Sequence, residues 1–299
     1  FIVKYDLATG LSERLTFGNH STYISDIAPD GKRLVYMTYQ DTPTKRPFTS
    51  ISLYEIDLNT LAVDTIATDT GFISQAYYSP DGEKLLIIGS AAAFDNLGKN
   101  CGSHPIPNDF DNQAYIMDLA TKEVKAISLD FDPNIDGFIH WAKGDGKIYF
   151  RGEDGFYSRI FVYDPKTEKY DRLPIEVDYV STFSMSKEKP SQIAYIGEGY
   201  DHAGVAYLYD VKKRSNKLLA DPFKKTLDKI NLAKDESWTF TASDGTVIDG
   251  VICYPPDKKK KKKYPLIVYY YGGTNPSERS IRHPYTPQMF ASRDYVVYV

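Results

Sequence analysis

The chain has 299 residues, 42% hydrophobic and 25% charged, the composition of an ordinary globular protein long enough for two domains. Its 36 basic and 40 acidic residues leave a net charge of −4, which offers no electrostatic footprint for a nucleic-acid backbone, and no apolar run is long enough for a membrane span. Cys101 and Cys253 are too few and too far apart for a disulfide framework or a metal pattern, and neither a metal nor a cofactor is expected.

The aromatic share, 14% with 25 Tyr and 15 Phe, favours sheets, because these side chains suit a pleated and half-buried surface. From its first residues the chain alternates two hairpin patterns. "IVKYDLATGLSERLT" (2–16) is a strand ending in Asp, a short polar turn and a second strand. "DIAPDGKRLVYMTY" (26–39) is an apolar stretch, a Pro-Asp-Gly turn and a strand. The first pattern returns in "LYEIDLNTLAVDTIA" (53–67), "AYIMDLATKEVKAIS" (114–128), "IFVYDPKTEKYDRLP" (160–174) and "AYLYDVKKRSNKLLA" (206–220). Asp6, Asp57, Asp118, Asp164 and Asp210 therefore recur at intervals of 51, 61, 46 and 46 residues. The second returns in "AYYSPDGEKLLIIGS" (76–90), "IHWAKGDGKIYFRG" (139–152) and, degraded, "FSMSKEKPSQIAYIG" (183–197). Asp-Gly supplies the positive φ that tight hairpins need, and Asp caps its own turn through the side chain.

Two hairpins per repeat make a four-stranded antiparallel sheet that must stack on its neighbours, which is a β-propeller blade. Four blades are expected at 22–67, 72–129, 137–174 and 180–220, preceded by the outer hairpin of another at 1–16. The half blade at Phe1 is read as a propeller cut open upstream. A generic β-sandwich does not repeat its turn chemistry at this period.

Two stretches stand out within the blades. The insertion "SAAAFDNLGKNCGSHPIPNDFDN" (90–112) breaks the spacing and carries Asp95, Asp109 and Asp111; on its own it reads as a solvated loop. "DFDPNIDG" (130–137) places Asp130, Asp132, Asn134 and Asp136 at alternate positions like a calcium loop. Its glycine falls at the wrong position and no closing Glu follows, so an inter-blade turn is expected.

After Ala220 the repeat stops. Residues 221–236 read as a connector with a helical turn, and 237–256 as two strands around a Ser-Asp-Gly turn, ended by Pro255-Pro256. Lys258 to Lys263 form a like-charge run, read as a solvated loop. "YPLIVYYYGG" (264–273) is apolar throughout, as in a strand covered on both faces. "PSERSIRHPYTPQMFASRD" holds a crossover and "YVVYV" (295–299) the next strand, the opening of an incomplete α/β domain over 237–299.

The blades, with their Ser-Pro-Asp-Gly turns and "LYxxDLxT" strands, resemble those of the propellers of prolyl oligopeptidase and dipeptidyl peptidase IV type serine peptidases, and of periplasmic TolB-like propellers. The hairpin "FTASDG" followed by "YPLIVYYYGG" resembles the start of the catalytic α/β-hydrolase domain of the prolyl oligopeptidase family. The resemblance implies a mainly β chain: a partial β-propeller of about four and a half four-stranded blades, then the first strands of an α/β-hydrolase domain. It implies a parent that hydrolyses short peptides by acyl transfer, like a dipeptidyl-peptidase or an acylaminoacyl-peptidase, with the propeller restricting access.

The nucleophile turn Gly-x-Ser-x-Gly is absent from the sequence, so no triad Ser, His or Asp is assigned and the fragment by itself is expected to be inactive. Ser277, Ser280 and His283 are read as exposed crossover residues. What the resemblance does place in this chain is an oxyanion donor, Tyr271, ahead of the Gly272-Gly273 turn that lets a substrate carbonyl approach the backbone. It also points to Asp95, Asp109 and Asp111 as holders of a peptide's free amino terminus, in place of the glutamate pair of dipeptidyl peptidases. The implied partner is a short peptide; a homodimeric parent and a periplasmic or secreted location are compatible with this reading. The rival from another class is a non-catalytic TolB- or WD-repeat-like propeller that binds proteins, which has no reason to carry the 238–273 segment.

Overall fold

Each repeated turn closes a hairpin in the computed structural model, which describes residues 1–41, 43–44, 48–106, 108–175, 177–270, 279–282 and 285–299. The contacts divide the chain into two compact units, Phe1–Ile135 and Asp136–Val299.

In the first unit, β1 (Val3–Tyr5) and β2 (Ser12–Arg14) form a lone hairpin. Two four-stranded antiparallel meanders follow. One joins β3 (Ser21–Ile27), β4 (Arg33–Asp41), β5 (Thr49–Asp57) and β6 (Val63–Ala67). The other joins β7 (Ile73–Tyr78), β8 (Lys84–Ser90), β9 (Asn112–Asp118) and β10 (Val124–Ala126). The two are tied side chain to backbone: Ser25 Oγ accepts the Ala76 N–H at 2.7 Å and Asp26 Oδ2 the Tyr78 N–H at 2.9 Å. Between them lies a core in which Val35, Ile51, Leu53, Ile73, Leu85, Ile87 and Tyr115 are fully buried. These are alternate residues on their strands, as half-buried sheets require.

The second unit begins with the same meander twice. The strands are β11 (Asn134–Trp141), β12 (Ile148–Asp154), β13 (Tyr157–Asp164) and β14 (Lys169–Arg172), then β15 (Tyr179–Met185), β16 (Gln192–Glu198), β17 (Val205–Asp210) and β18 (Ser215–Ala220). One parallel pairing, Ser158 with Tyr179, bridges the two. The four sheets are blades of a partial β-propeller, at the positions the repeats predict.

The repeated turns have one geometry. Asp6, Asp57 and Asp118 each accept, through Oδ1, the N–H groups two and three residues ahead. Asp164 accepts that of Lys166, and Asp210 that of Lys213. The residue four positions on is left-handed in all five: Gly10, Leu61, Lys122, Glu168 and Arg214, with φ from 49° to 74°.

Past the last blade, a single helical turn (Lys224–Leu227) leads into a long hairpin of β19 (Lys234–Thr241) and β20 (Val247–Tyr254). β21 (Leu266–Val268) and β22 (Val296–Tyr298) are parallel, joined by a crossover containing a short helix, Pro287–Ala291. β22 inserts between β20 and β21, giving the order β19-β20-β22-β21. Gly250 of β20 makes room for the Tyr298 ring, whose atoms lie 2.3 Å from where a Cβ would stand. The helix covers one face, where Val251, Cys253, Ala291 and Val297 are buried against Ile267. On the other face Leu266, Val268 and Trp238 are exposed. The apolar run at 264–273 predicts cover on both faces; β21 is covered on one, because the only helix that crosses this sheet among the described residues packs on a single side.

Candidate functional site

The insertion at 90–112 folds back over its own sheet. Tyr115, fully buried on β9, donates its hydroxyl to the Ser90 carbonyl at 2.7 Å, and Gly98 lies against it: a Cβ there would stand 2.1 Å from the hydroxyl. Phe94 packs edge-on to the Tyr115 ring at 5.3 Å, and its N–H donates to the Thr70 carbonyl at 3.1 Å. With both ends so fixed, the backbone between passes through three consecutive left-handed residues, Phe94, Asp95 and Asn96, at φ 53°, 58° and 66°. A non-glycine residue there costs roughly 1–2 kcal/mol. Such an outlier persists only where surrounding contacts enforce it, and Asp95 within it is exposed.

Asp95 borders a cavity of about 850 Å³. Asp109 stands on its wall as well, and the β6–β7 connection adds Asp69, to which the Ser50 hydroxyl donates. Lys99 is the one cation among the described lining residues, and Phe48, Phe72 and Phe110 give the cavity aromatic surface. Carboxylates accept charge-assisted hydrogen bonds from an ammonium group, and aromatic faces attract the same cation. The arrangement therefore suits an organic cation with an apolar body.

Of the three aspartates singled out in the insertion, the structure brings Asp95 and Asp109 to one cavity. Asp111 is not among its lining residues; partial burial and the nearby charge of Asp132 raise its carboxyl above the usual range. Asp69 escapes sequence reasoning because it lies in an ordinary blade connection; its only local signal is the "DTG" turn, where it adopts a positive φ. In the calcium-like stretch, Asn134 accepts the Asn112 N–H at 2.7 Å and Asp136 pairs with Arg151. No group of metal-ligating side chains is found among the described residues.

Tyr271, Gly272 and Gly273, with Ser277 and His283, lie outside the described residues. The crossover is described again from Arg279. Ser280 is read from sequence as exposed but is 3% exposed: its hydroxyl donates to Glu198 Oε2 at 2.5 Å, and Arg282 pairs with the same carboxylate. Arg279 bridges Asp178, at 2.8 Å, and Asp235, and the Tyr157 and Tyr200 ring centroids lie 5.0 and 5.7 Å from its guanidinium carbon. These residues are consumed in holding the crossover to the last two blades.

No protein-family model and no curated protein matches the chain. Solved structures do. A puromycin-hydrolyzing peptidase of Mycobacterium tuberculosis aligns over 96% of this chain and 43% of its own, with 15% identity and a TM-score of 0.68. Dipeptidyl peptidase 4 of Porphyromonas gingivalis aligns over 92% and 48%, with 12% identity and a TM-score of 0.56. TolB of Acinetobacter baumannii aligns over 85% and 57%, with 16% identity and a TM-score of 0.53. At these identities the likeness is one of fold, and the chain spans less than half the length of the two peptidases.

Proposed function

We propose that the chain is the propeller and the opening strands of the catalytic domain of a serine peptidase of the prolyl oligopeptidase family, one that hydrolyses short peptides. The observation that carries this reading is the C-terminal sheet. After antiparallel blades the chain builds a parallel pair through a helical crossover and inserts the fourth strand between the second and third. That is how an α/β-hydrolase sheet opens, and a scaffold propeller has no use for it. With β19 counted as the first strand, β21 is the third, and in α/β-hydrolases the connection from the third strand to the first helix contributes to the oxyanion hole. Tyr271 and the Gly272-Gly273 turn fall in that connection by sequence.

In the longer parent a serine Oγ attacks the scissile carbonyl and gives its proton to a histidine. The C–N bond then breaks to release the amine, and water hydrolyses the acyl-enzyme. The Tyr271 hydroxyl donates to the oxyanion; Asp95 and Asp109, in the first unit, supply carboxylates suited to a free amino terminus.

A fluorophosphonate probe should label the longer protein and leave the 299-residue chain unlabelled, and Tyr271→Phe should lower kcat roughly a hundredfold. The TolB-like reading, favoured by the 0.53 TM-score to that propeller, wins if the longer protein neither takes the label nor carries Gly-x-Ser-x-Gly.

A further inference from the structure

Lys258–Lys263, in the β20–β21 connection, are all exposed, and the connection is folded. The Lys259 N–H donates to the Tyr264 hydroxyl at 2.9 Å, the Lys258 N–H to the Pro255 carbonyl at 3.0 Å and the Lys262 N–H to the Lys259 carbonyl at 3.1 Å. Asn231 pins it from the connector, donating to Asp257 at 3.1 Å. Lys258 Nζ stands 3.1 Å from the centre of the Tyr254 ring, and Tyr254 is paired across the ladder with exposed Lys234, so both project from one face of the hairpin. At the other end Lys262 reaches Asp294 at 2.7 Å, beside exposed Arg293. A basic face thus draws on three segments, with Asp257, Asp294 and Glu236 as the acids around it, in a chain whose net charge is −4.

We propose that this face docks the protein on the headgroups of an anionic lipid surface. The run is all lysine, a compact charge on a flexible stem that suits mobile phosphates; arginine would suit a fixed bidentate site. Residues 257–263 contain no apolar side chain to insert, and the two flanking aromatics, Tyr254 and Tyr264, are half-buried with their rings covered by Lys258 and Lys262, so neither offers an open face to stack a base. A nucleic acid would run past the patch onto a surface that is negative in balance, whereas a plane meets the patch alone. Binding is then purely electrostatic, each lysine being worth about fivefold at an anionic surface, and is weakened by salt. It requires nothing of the peptidase reading.

The test is co-sedimentation of the 299-residue chain with vesicles of phosphatidylcholine containing roughly 30% phosphatidylglycerol, in about 50 mM salt. The chain should bind these and not pure phosphatidylcholine, and should release as salt rises to about 200 mM. Replacing Lys258–Lys263 by glutamine should leave the unfolding temperature in place and weaken binding at least tenfold. Equal binding by the variant, binding that survives salt, or tighter binding to duplex DNA than to vesicles would each overturn the proposal; the last would make the face a nucleic-acid site.

Discussion

Glu198, with 1% of its side chain exposed, is a buried carboxyl whose oxygens are met by two other side chains. Arg282 supplies the guanidinium and Ser280 the hydroxyl, both from a crossover more than 80 residues away in sequence. Arg282 is itself more than half exposed, so solvent screens part of the pairing. Removing it leaves the buried carboxylate with the Ser280 hydroxyl alone, and Arg282→Ala should lower stability by roughly 1–3 kcal/mol in urea unfolding. A loss below about half a kcal/mol would mean that solvent already screens the carboxylate. His202 carries a pH dependence of its own. Its Nδ1 lies 2.6 Å from Asp201 Oδ1, and that hydrogen bond raises the imidazole above its ordinary value of 6.5. A raised folded value adds stability that is complete below 6.5 and is lost as pH climbs through the folded value. His202→Gln should therefore flatten the decline in unfolding temperature on the alkaline side of pH 6.5; an unchanged decline would remove His202 from it. The Glu198 cluster was not legible in the sequence, because partners more than 80 residues apart leave no local pattern; Asp201 and His202 are neighbours, but adjacency alone does not say that the two side chains meet.

The hairpins show why the blades were legible. Their turns are closed by local chemistry: an Asp carboxylate over the next N–H groups, then one left-handed residue four places on. Only Gly10 fills that last place with glycine; Leu61, Lys122, Glu168 and Arg214 bear the strain of a side chain there. Leu61→Gly should accordingly raise stability by about 0.5–1 kcal/mol, and Gly10→Ala should lower it by a similar amount. A loss on Leu61→Gly would show that its exposed side chain contributes more than its backbone costs. The same backbone N–H groups hold the carboxyls of Asp6, Asp57, Asp118 and Asp164 below their ordinary range. Lowered carboxyls add stability that is present above the unfolded value and disappears as pH falls through the folded one. Unfolding temperature should drop steeply below about pH 4, and Asp118→Asn, which keeps the acceptor without the charge, should make that drop shallower. An identical acid profile for the variant would locate the loss elsewhere. The irregular elements were less legible. Leu266 and Val268 belong to an apolar run, yet one face of β21 is open, because apolar composition records what a strand tolerates and not which neighbours cover it.

At the scale of the molecule, the period of the repeats gave the order of the blades, and the change of composition after Ala220 gave the second kind of sheet. The cavity was only half legible. Asp95 and Asp109 stood out because an insertion interrupts a regular period, whereas Asp69 reaches the same wall from a connection more than 20 residues earlier that looks like any other. Asp111 shared the insertion's signal but not its cavity: the chain bends at Asp109 and again at Asp111, so spacing along the sequence does not carry the second side chain to the same wall. This difference makes the substrate reading testable within the longer enzyme. If Asp95 and Asp109 receive a free amino terminus, exchanging either for asparagine removes a charge-assisted contact worth about 1.5–3 kcal/mol. KM for a dipeptide substrate with a free amine should then rise by roughly ten- to a hundredfold, while that for its N-acetylated counterpart should stay put, because a blocked amine carries no charge to be held. Asp111→Asn should leave both values unchanged. A parallel rise for free and acetylated substrates would show that the cavity supports the loop and does not read the amine, and an effect confined to Asp111→Asn would move the site off the cavity altogether.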